Sequence, residues 1–125
     1  MILDTCALLF LPSGDRRLTR SVRERLTTEP VRWFSAISSF EIALKHRQGK
    51  LELPLEPLEW IRALAARYSL TELPLDSELC TRAARLPHHH RDPFDRFIIA
   101  SALHLRVPVV TVDPKFLAYG VEVVH

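Results

Sequence analysis

The sequence predicts an α/β fold, a central, mainly parallel sheet of four to five strands with helices on both faces, so a three-layer sandwich. Three observations carry this. Short apolar runs of strand length alternate with segments of helical spacing along the whole chain. Val107 to Val112 is a β-branched run that ends at Asp113. Pro57 and the Asp92-Pro93 pair mark helix starts, because the first helical residue needs no N–H donor. Strands that alternate with helices are joined by crossovers, which places helices over both faces of a parallel sheet.

In chain order, Met1 to Leu3 reads as a short buried strand ended by Asp4. Leu18, Val22, Arg25 and Leu26 share a helical spacing, and Val31 to Phe34 reads as a second strand. Ser38-Ser39-Phe40-Glu41 opens a helix expected to stop at Gly49. Leu51 to Pro57 is too rich in proline for regular structure, and Pro57 starts a helix running to about Tyr68. Thr71 to Leu75 can form a strand, Asp76 can cap a helix ending near Leu86, and Asp92-Pro93 repeats that chemistry for Phe94 to Leu105. After the Val107 to Val112 strand come a helical turn near Phe116 and a last strand, Val121 to Val124. No change of composition marks a linker, so residues 1–125 are expected to form one domain.

Composition narrows the class. With 47% hydrophobic and 26% charged residues the chain is globular rather than disordered. A net charge of +2 does not by itself mark a nucleic-acid binder, so any such affinity has to come from clustered basic residues. Cys6 and Cys80, each in an apolar setting, suit two reduced thiols better than a disulfide framework or a zinc site. MILDTCALLF lacks the basic start of a signal peptide, and no apolar run is long enough to span a bilayer, so a cytoplasmic protein without membrane contact is expected.

Four carboxylates stand out: Asp4, Glu41, Asp95 and Asp113. Asp4 and Asp113 follow strands, and in a parallel sheet both fall at the carboxyl edge, where open α/β sheets place ligands. Connecting helices run antiparallel to the strands, so helix N-termini carrying Glu41 and Asp95 come to the same edge. Each acid alone has an ordinary reading. Ser38-x-x-Glu41 is a capping box and Glu41 with Lys45 an i,i+4 pair; Asp95 suits the positive end of a helix; Asp4 and Asp113 suit turns. Their convergence is the argument, because four carboxylates in one cleft raise one another's pKa or hold a cation. An all-oxygen ligand set suits Mg2+ or Mn2+, and such a site fits hydrolysis of a phosphodiester. Glycoside hydrolysis, which also uses paired carboxylates, is disfavoured by the small number of aromatic residues, most of them in apolar runs.

These residues resemble the PIN domain family, and within it the VapC-type toxins of toxin–antitoxin pairs. The resemblance lies in LDTCALLF at 3–10, SSFEIALKHRQGKLELP at 38–54, LPHHHRDPFDRFIIASAL at 86–103, TVDPKF at 111–116 and the closing YGVEVVH, which together span nearly the whole chain in order. It implies a PIN-like α/β/α sandwich and a Mg2+- or Mn2+-dependent endoribonuclease with Asp4, Glu41, Asp95 and Asp113 as metal-binding catalytic acids. It further implies an RNA substrate, a VapB-like antitoxin partner and a homodimer. Thr111 matches the family's threonine and is expected to orient Asp113 or a water. Position 6 departs from the pattern, with Cys where relatives often carry His, Asn or Ser.

Asp92 is read as the cap of its helix, with a metal-proximal or outer-layer acid as the alternative. Among basic residues, Arg96 is the first candidate to hold substrate phosphate because it adjoins Asp95; Lys45, Arg91, Lys115, Arg16 and Arg17 are further candidates. The run from Arg16 to Arg25 otherwise reads as a solvated helix face. His88, His89 and His90 read as a polar approach to the helix, since three consecutive side chains diverge and do not easily share an ion. Trp60, Ile61, Leu64 and Tyr68 are expected in the core or a dimer contact, and Trp33 in a buried strand. Other classes remain: a catalytically inert RNA-binding PIN relative and a Mg2+-binding phosphoacceptor receiver module. The receiver is disfavoured because Thr5 and Cys6, not a second acid, follow Asp4, and a D-x-D phosphatase fails at Cys6.

Overall fold

A computed structural model describes all residues 1–125. The elements are β1 (Ile2–Leu3), α1 (Thr5–Ser13), α2 (Arg20–Thr28), β2 (Arg32–Ser35), α3 (Ala36–Arg47), α4 (Pro57–Tyr68), β3 (Leu70–Leu73), α5 (Ser77–Arg85), α6 (Pro93–Leu105), β4 (Val109–Val110), a 3-10 helix (Pro114–Tyr119) and β5 (Val123–Val124). The five strands form one parallel sheet in the order β3-β2-β1-β4-β5.

Side chains alternate along each strand, and here that alternation builds two cores. Leu3, Phe34, Val110 and Val124 point to one face, where they meet Leu8 of α1, Val22 and Leu26 of α2, and Trp60, Ile61 and Leu64 of α4. Ile2, Val109 and the half-buried Trp33 point to the other, against Ile98, Ile99 and Ala102 of α6 and the wholly buried Phe116. The expected three layers are therefore present, and each wholly buried Ile or Leu contributes about 2–3 kcal/mol relative to exposure. Helix α3 leaves the sheet at its carboxyl edge, with Ile37 in one core and Ile42 in the other.

Several boundaries depart from the sequence pattern. Helix α1 has no amphipathic period: TCALLFLPS is apolar on nearly every side and contains Pro12, so nothing in its spacing announces a helix. The strand expected over Val107 to Val112 pairs only at Val109–Val110, and the last strand only at Val123–Val124. Helix α3 begins three residues earlier than the capping-box reading places it. Ser35, the last strand residue, accepts from Ile37 N–H at 3.1 Å and caps it, while Ser38 is buried and accepts from the Thr5 hydroxyl at 2.9 Å. Glu41 is therefore in the second turn rather than the first. Helix α3 does end before Gly49, whose φ of +71° favours a residue without a Cβ.

Candidate metal centre at the carboxyl edge

The sheet topology sets the site. β1 is central, and Asp4 leaves it to cap α1 by accepting from Ala7 N–H at 2.7 Å. The neighbouring β2 delivers α3 with Glu41, and the other neighbour, β4, delivers Thr111 and Asp113. Asp113 caps the 3-10 helix through Lys115 N–H at 2.9 Å. Asp92 caps α6, as expected, by accepting from Phe94 N–H at 2.9 Å, and this presents Asp95 in the first turn.

Asp4 and Asp95 feel the charges of the other acids. Burial first, then the charge of Asp92, then those of Asp4, Glu41 and Asp113, push the Asp95 carboxyl up to about 8. Burial likewise lifts Asp4 to about 6, against the opposing pull of the Thr111 hydroxyl and the Ala7 N–H, with Glu41 and Asp113 adding repulsion. Thr111 thus serves Asp4 as well as Asp113, whose N–H it accepts at 3.1 Å. Partial burial works against the Asp113 charge, yet donors from Lys115 N–H and His90 hold its carboxyl below the usual range. Glu41 is 5% exposed, and its Oε2 accepts from Lys45 at 2.7 Å. Its Oε1 is buried with no hydrogen-bond partner.

That orphaned oxygen tests the fit of a cation. A buried carboxylate oxygen without a donor carries a desolvation cost that a hard cation would offset. The carboxylates whose charges meet here, Asp4, Glu41, Asp95 and Asp113, offer oxygens only, the set that Mg2+ and Mn2+ take.

Among the basic residues, Arg96 does not take its expected place, whereas Lys45 forms the expected i,i+4 pair with Glu41. Arg96 is buried and points away from the cleft. It donates to the carbonyls of Ala83, Ala84 and Leu86 at the end of α5 and to Pro87 and His90 beyond it, at 2.7–3.4 Å. Adjacent residues on a helix diverge by about 100°, so a neighbour of Asp95 cannot share its direction. Lys45 is held by Glu41, and Arg17 is paired with Asp15 at 2.8 Å and stacked over Phe10. Arg16, Arg91 and Lys115 are exposed. Cys6 is an exposed free thiol rather than an apolar-buried one; desolvation and the neighbouring Asp4 push it up to about 11.

One residue of the site has no signal in the sequence spacing. His88 and His89 are exposed as expected, but His90 is buried, its Nε2 lying 2.7 Å from Asp113 Oδ2 and 3.1 Å from Asp95 Oδ2. The largest open cavities lie elsewhere. One of about 330 Å³ is walled by Arg23, Arg32, Arg67 and Tyr68, but Arg23 and Arg32 spend donors on helix-end carbonyls there.

An all-parallel sheet whose central strand ends in an acid, met by acids from three further segments, defines an acidic-edge α/β domain. The sequence matches the PIN domain family over residues 1–122, and the chain belongs to that family. Comparison with curated proteins finds no matching sequence. Among solved structures, the chain is similar to FitAcB from Neisseria gonorrhoeae, with a TM-score of 0.68 at 20% identity over 99% of this chain and 96% of that one. A toxin–antitoxin complex from Klebsiella pneumoniae superposes with a TM-score of 0.69 at 20% identity, covering 99% and 95%. DNA-bound VapBC from Salmonella typhimurium gives 0.66 at 16% identity, covering 98% and 95%. The PIN-like fold expected from sequence is therefore present. Receiver modules use the strand order 2-1-3-4-5, which this sheet does not have, so that alternative lacks topological support.

Proposed function

We propose that the protein is a Mg2+- or Mn2+-dependent endoribonuclease, the toxin of a VapC-type toxin–antitoxin pair, silenced by a VapB-like antitoxin. The observation that carries the reading is the convergence of Asp4, Glu41, Asp95 and Asp113 on one sheet edge, with two of the carboxyls raised by mutual burial and one oxygen of Glu41 unsatisfied. Membership of the PIN domain family and likeness to toxin–antitoxin complexes support it. We further propose, as the family resemblance implies, a cytoplasmic homodimer. No helix is long and apolar enough to cross a membrane.

In this reading Asp4, Glu41, Asp95 and Asp113 would hold the cation. The bound ion supplies a water of lowered pKa and stabilises negative charge on the scissile phosphate. The chain's own residues do the rest. Thr111 steadies Asp4 and the Asp113 backbone, and Lys45 partly neutralises Glu41 so that an anionic substrate is not repelled outright. Sequence preference would come from the surrounding loops and exposed bases of the RNA.

The test is incubation of the antitoxin-free chain with total RNA and defined transfer RNAs in Mn2+ or Mg2+, beside a chelator control and the Asp95→Asn and Asp92→Asn variants. Cleavage should require metal and Asp95, and should survive Asp92→Asn at reduced rate, since asparagine keeps the cap. Metal-independent cleavage, or full activity in Asp95→Asn, would reject the mechanism. Binding of RNA without cleavage by the metal-loaded chain would favour the inert RNA-binding relative instead.

A further inference from the structure

The loop after α5 is fastened along its backbone at Pro87, His89 and His90. The Tyr119 hydroxyl accepts from His89 N–H at 3.0 Å and His90 N–H at 2.7 Å and donates to the Pro87 carbonyl at 2.7 Å. Beside it the buried Arg96, whose Nη1 is 3.5 Å from the Tyr119 hydroxyl, donates to the Pro87 and His90 carbonyls. The His90 ring stands edge-on to the wholly buried Phe116, with centroids 5.8 Å apart and planes at 85°. Of three consecutive histidines, one is thus turned inward and locked.

Its ring nitrogens have different partners. Nδ1 accepts the Asp92 backbone N–H at 3.2 Å. A ring nitrogen that accepts carries no proton, so the proton of the neutral ring is on Nε2, which faces Asp113 Oδ2 at 2.7 Å and Asp95 Oδ2 at 3.1 Å. The ligand atoms of His90, Asp95 and Asp113 all lie within 4.8 Å of one another, a grouping that could be taken for a three-residue metal site. The tautomer argues against it. Coordination through Nε2 needs the lone pair there and the proton on Nδ1, which would set that N–H against the Asp92 N–H, donor to donor.

We propose that His90 is a positioning residue of the candidate metal site: its Nε2–H holds the Asp113 carboxylate beside that of Asp95, and it does not bind the cation. The proposal rests on the metal-site reading above. Asp113 is held on both oxygens, Oδ1 by Lys115 N–H and Oδ2 by His90, and its carboxylate plane is thereby set before any ion arrives. Outer-layer hydrogen bonds of this kind are worth about 10- to 100-fold in metal affinity.

Mn2+ is the probe, and the full chain is used with His90→Ala, His90→Gln and His89→Ala. Mn2+ affinity is read by electron paramagnetic resonance titration, and direct nitrogen coordination by pulsed measurement of 14N coupling. The unaltered chain should bind Mn2+ without a directly coordinated nitrogen. His90→Ala should weaken binding about 10-fold, His90→Gln, which restores an N–H donor, should recover most of the loss, and His89→Ala should change nothing. A directly bound nitrogen in the unaltered chain overturns the proposal even if His90→Ala fails to fold. So does unchanged Mn2+ affinity in a folded His90→Ala. Absence of any Mn2+ binding by the unaltered chain overturns the metal-site reading itself, and this proposal with it.

Discussion

Asp4, Asp92 and Asp113 are each a helix cap and a member of the acidic edge at once. An aspartate that caps a helix must stand at its N-terminus, and in a parallel sheet those N-termini line the ligand edge, so capping delivers the charge to the site. A capping aspartate can therefore also be a candidate site acid. Asp95 is the acid most burdened by its neighbours. In the unfolded chain it ionises near 3.8, in the folded metal-free protein near 8. Between these values the folded state keeps a proton that the unfolded state has lost, so stability falls as pH rises from about 4 to about 8 and levels off above. Asp95→Asn removes that contribution. In chelator, the melting temperature of the unaltered protein should fall across this window, and that of Asp95→Asn should fall less; parallel curves would show that Asp95 does not carry the strain. Strand ends and a helix start bring Asp4, Asp113 and Asp95 to the edge as topology requires, whereas Glu41 comes from the second turn of α3 rather than its first. His90 was not legible in the sequence, because its direction is set by Tyr119, 29 positions downstream. Arg96 was misread because adjacency along a helix was taken for adjacency in space.

Helices show the same division between what local chemistry announces and what tertiary contacts decide. Pro57 and Asp92-Pro93 mark the starts of α4 and α6 without ambiguity, and α4 has the expected bounds. The start of α3 was masked by a decoy: Ser38 and Glu41 have capping-box spacing, but Ser35 is the cap because pairing of β2 with β3, Ser35 opposite Leu73, sets where the strand stops. Helix α1 lacks a polar face, so its Asp4 cap and its packing in the core with Leu3 and Phe34, not a periodicity, make it a helix. At this scale Arg96 matters most, since one guanidinium closes the C-terminus of α5 and ties it to α6. Arg96→Ala should cost about 3 kcal/mol or more in urea unfolding, because several buried carbonyls lose their donor together. Arg96→Lys should recover little, since an ammonium lacks the planar fork that reaches five carbonyls. A loss below about 0.5 kcal/mol would mean that water replaces those bonds.

For the molecule as a whole, the alternation of strands and helices and the parallel sheet follow from the sequence, whereas the order β3-β2-β1-β4-β5 does not, since two-residue strands carry too little pattern to fix neighbours. The acidic edge is the price of that order, a seam of like charge in a small domain. Binding to the folded state alone should relieve it: Mn2+ at about 100 times its dissociation constant should stabilise the protein by about 2.7 kcal/mol. The gain, read as a rise in melting temperature, should vanish in Asp95→Asn; no rise in the unaltered protein would mean that the edge holds no cation. The central position of β1 has a separate bearing on synthesis. Its partners are β2 on one side and β4, more than a hundred residues later, on the other. A chain made from its N-terminus gathers Asp4 and Glu41 early, but waits for β4 to leave the ribosome before Asp113 can join them. Until then the nascent chain carries an acidic edge that is still incomplete.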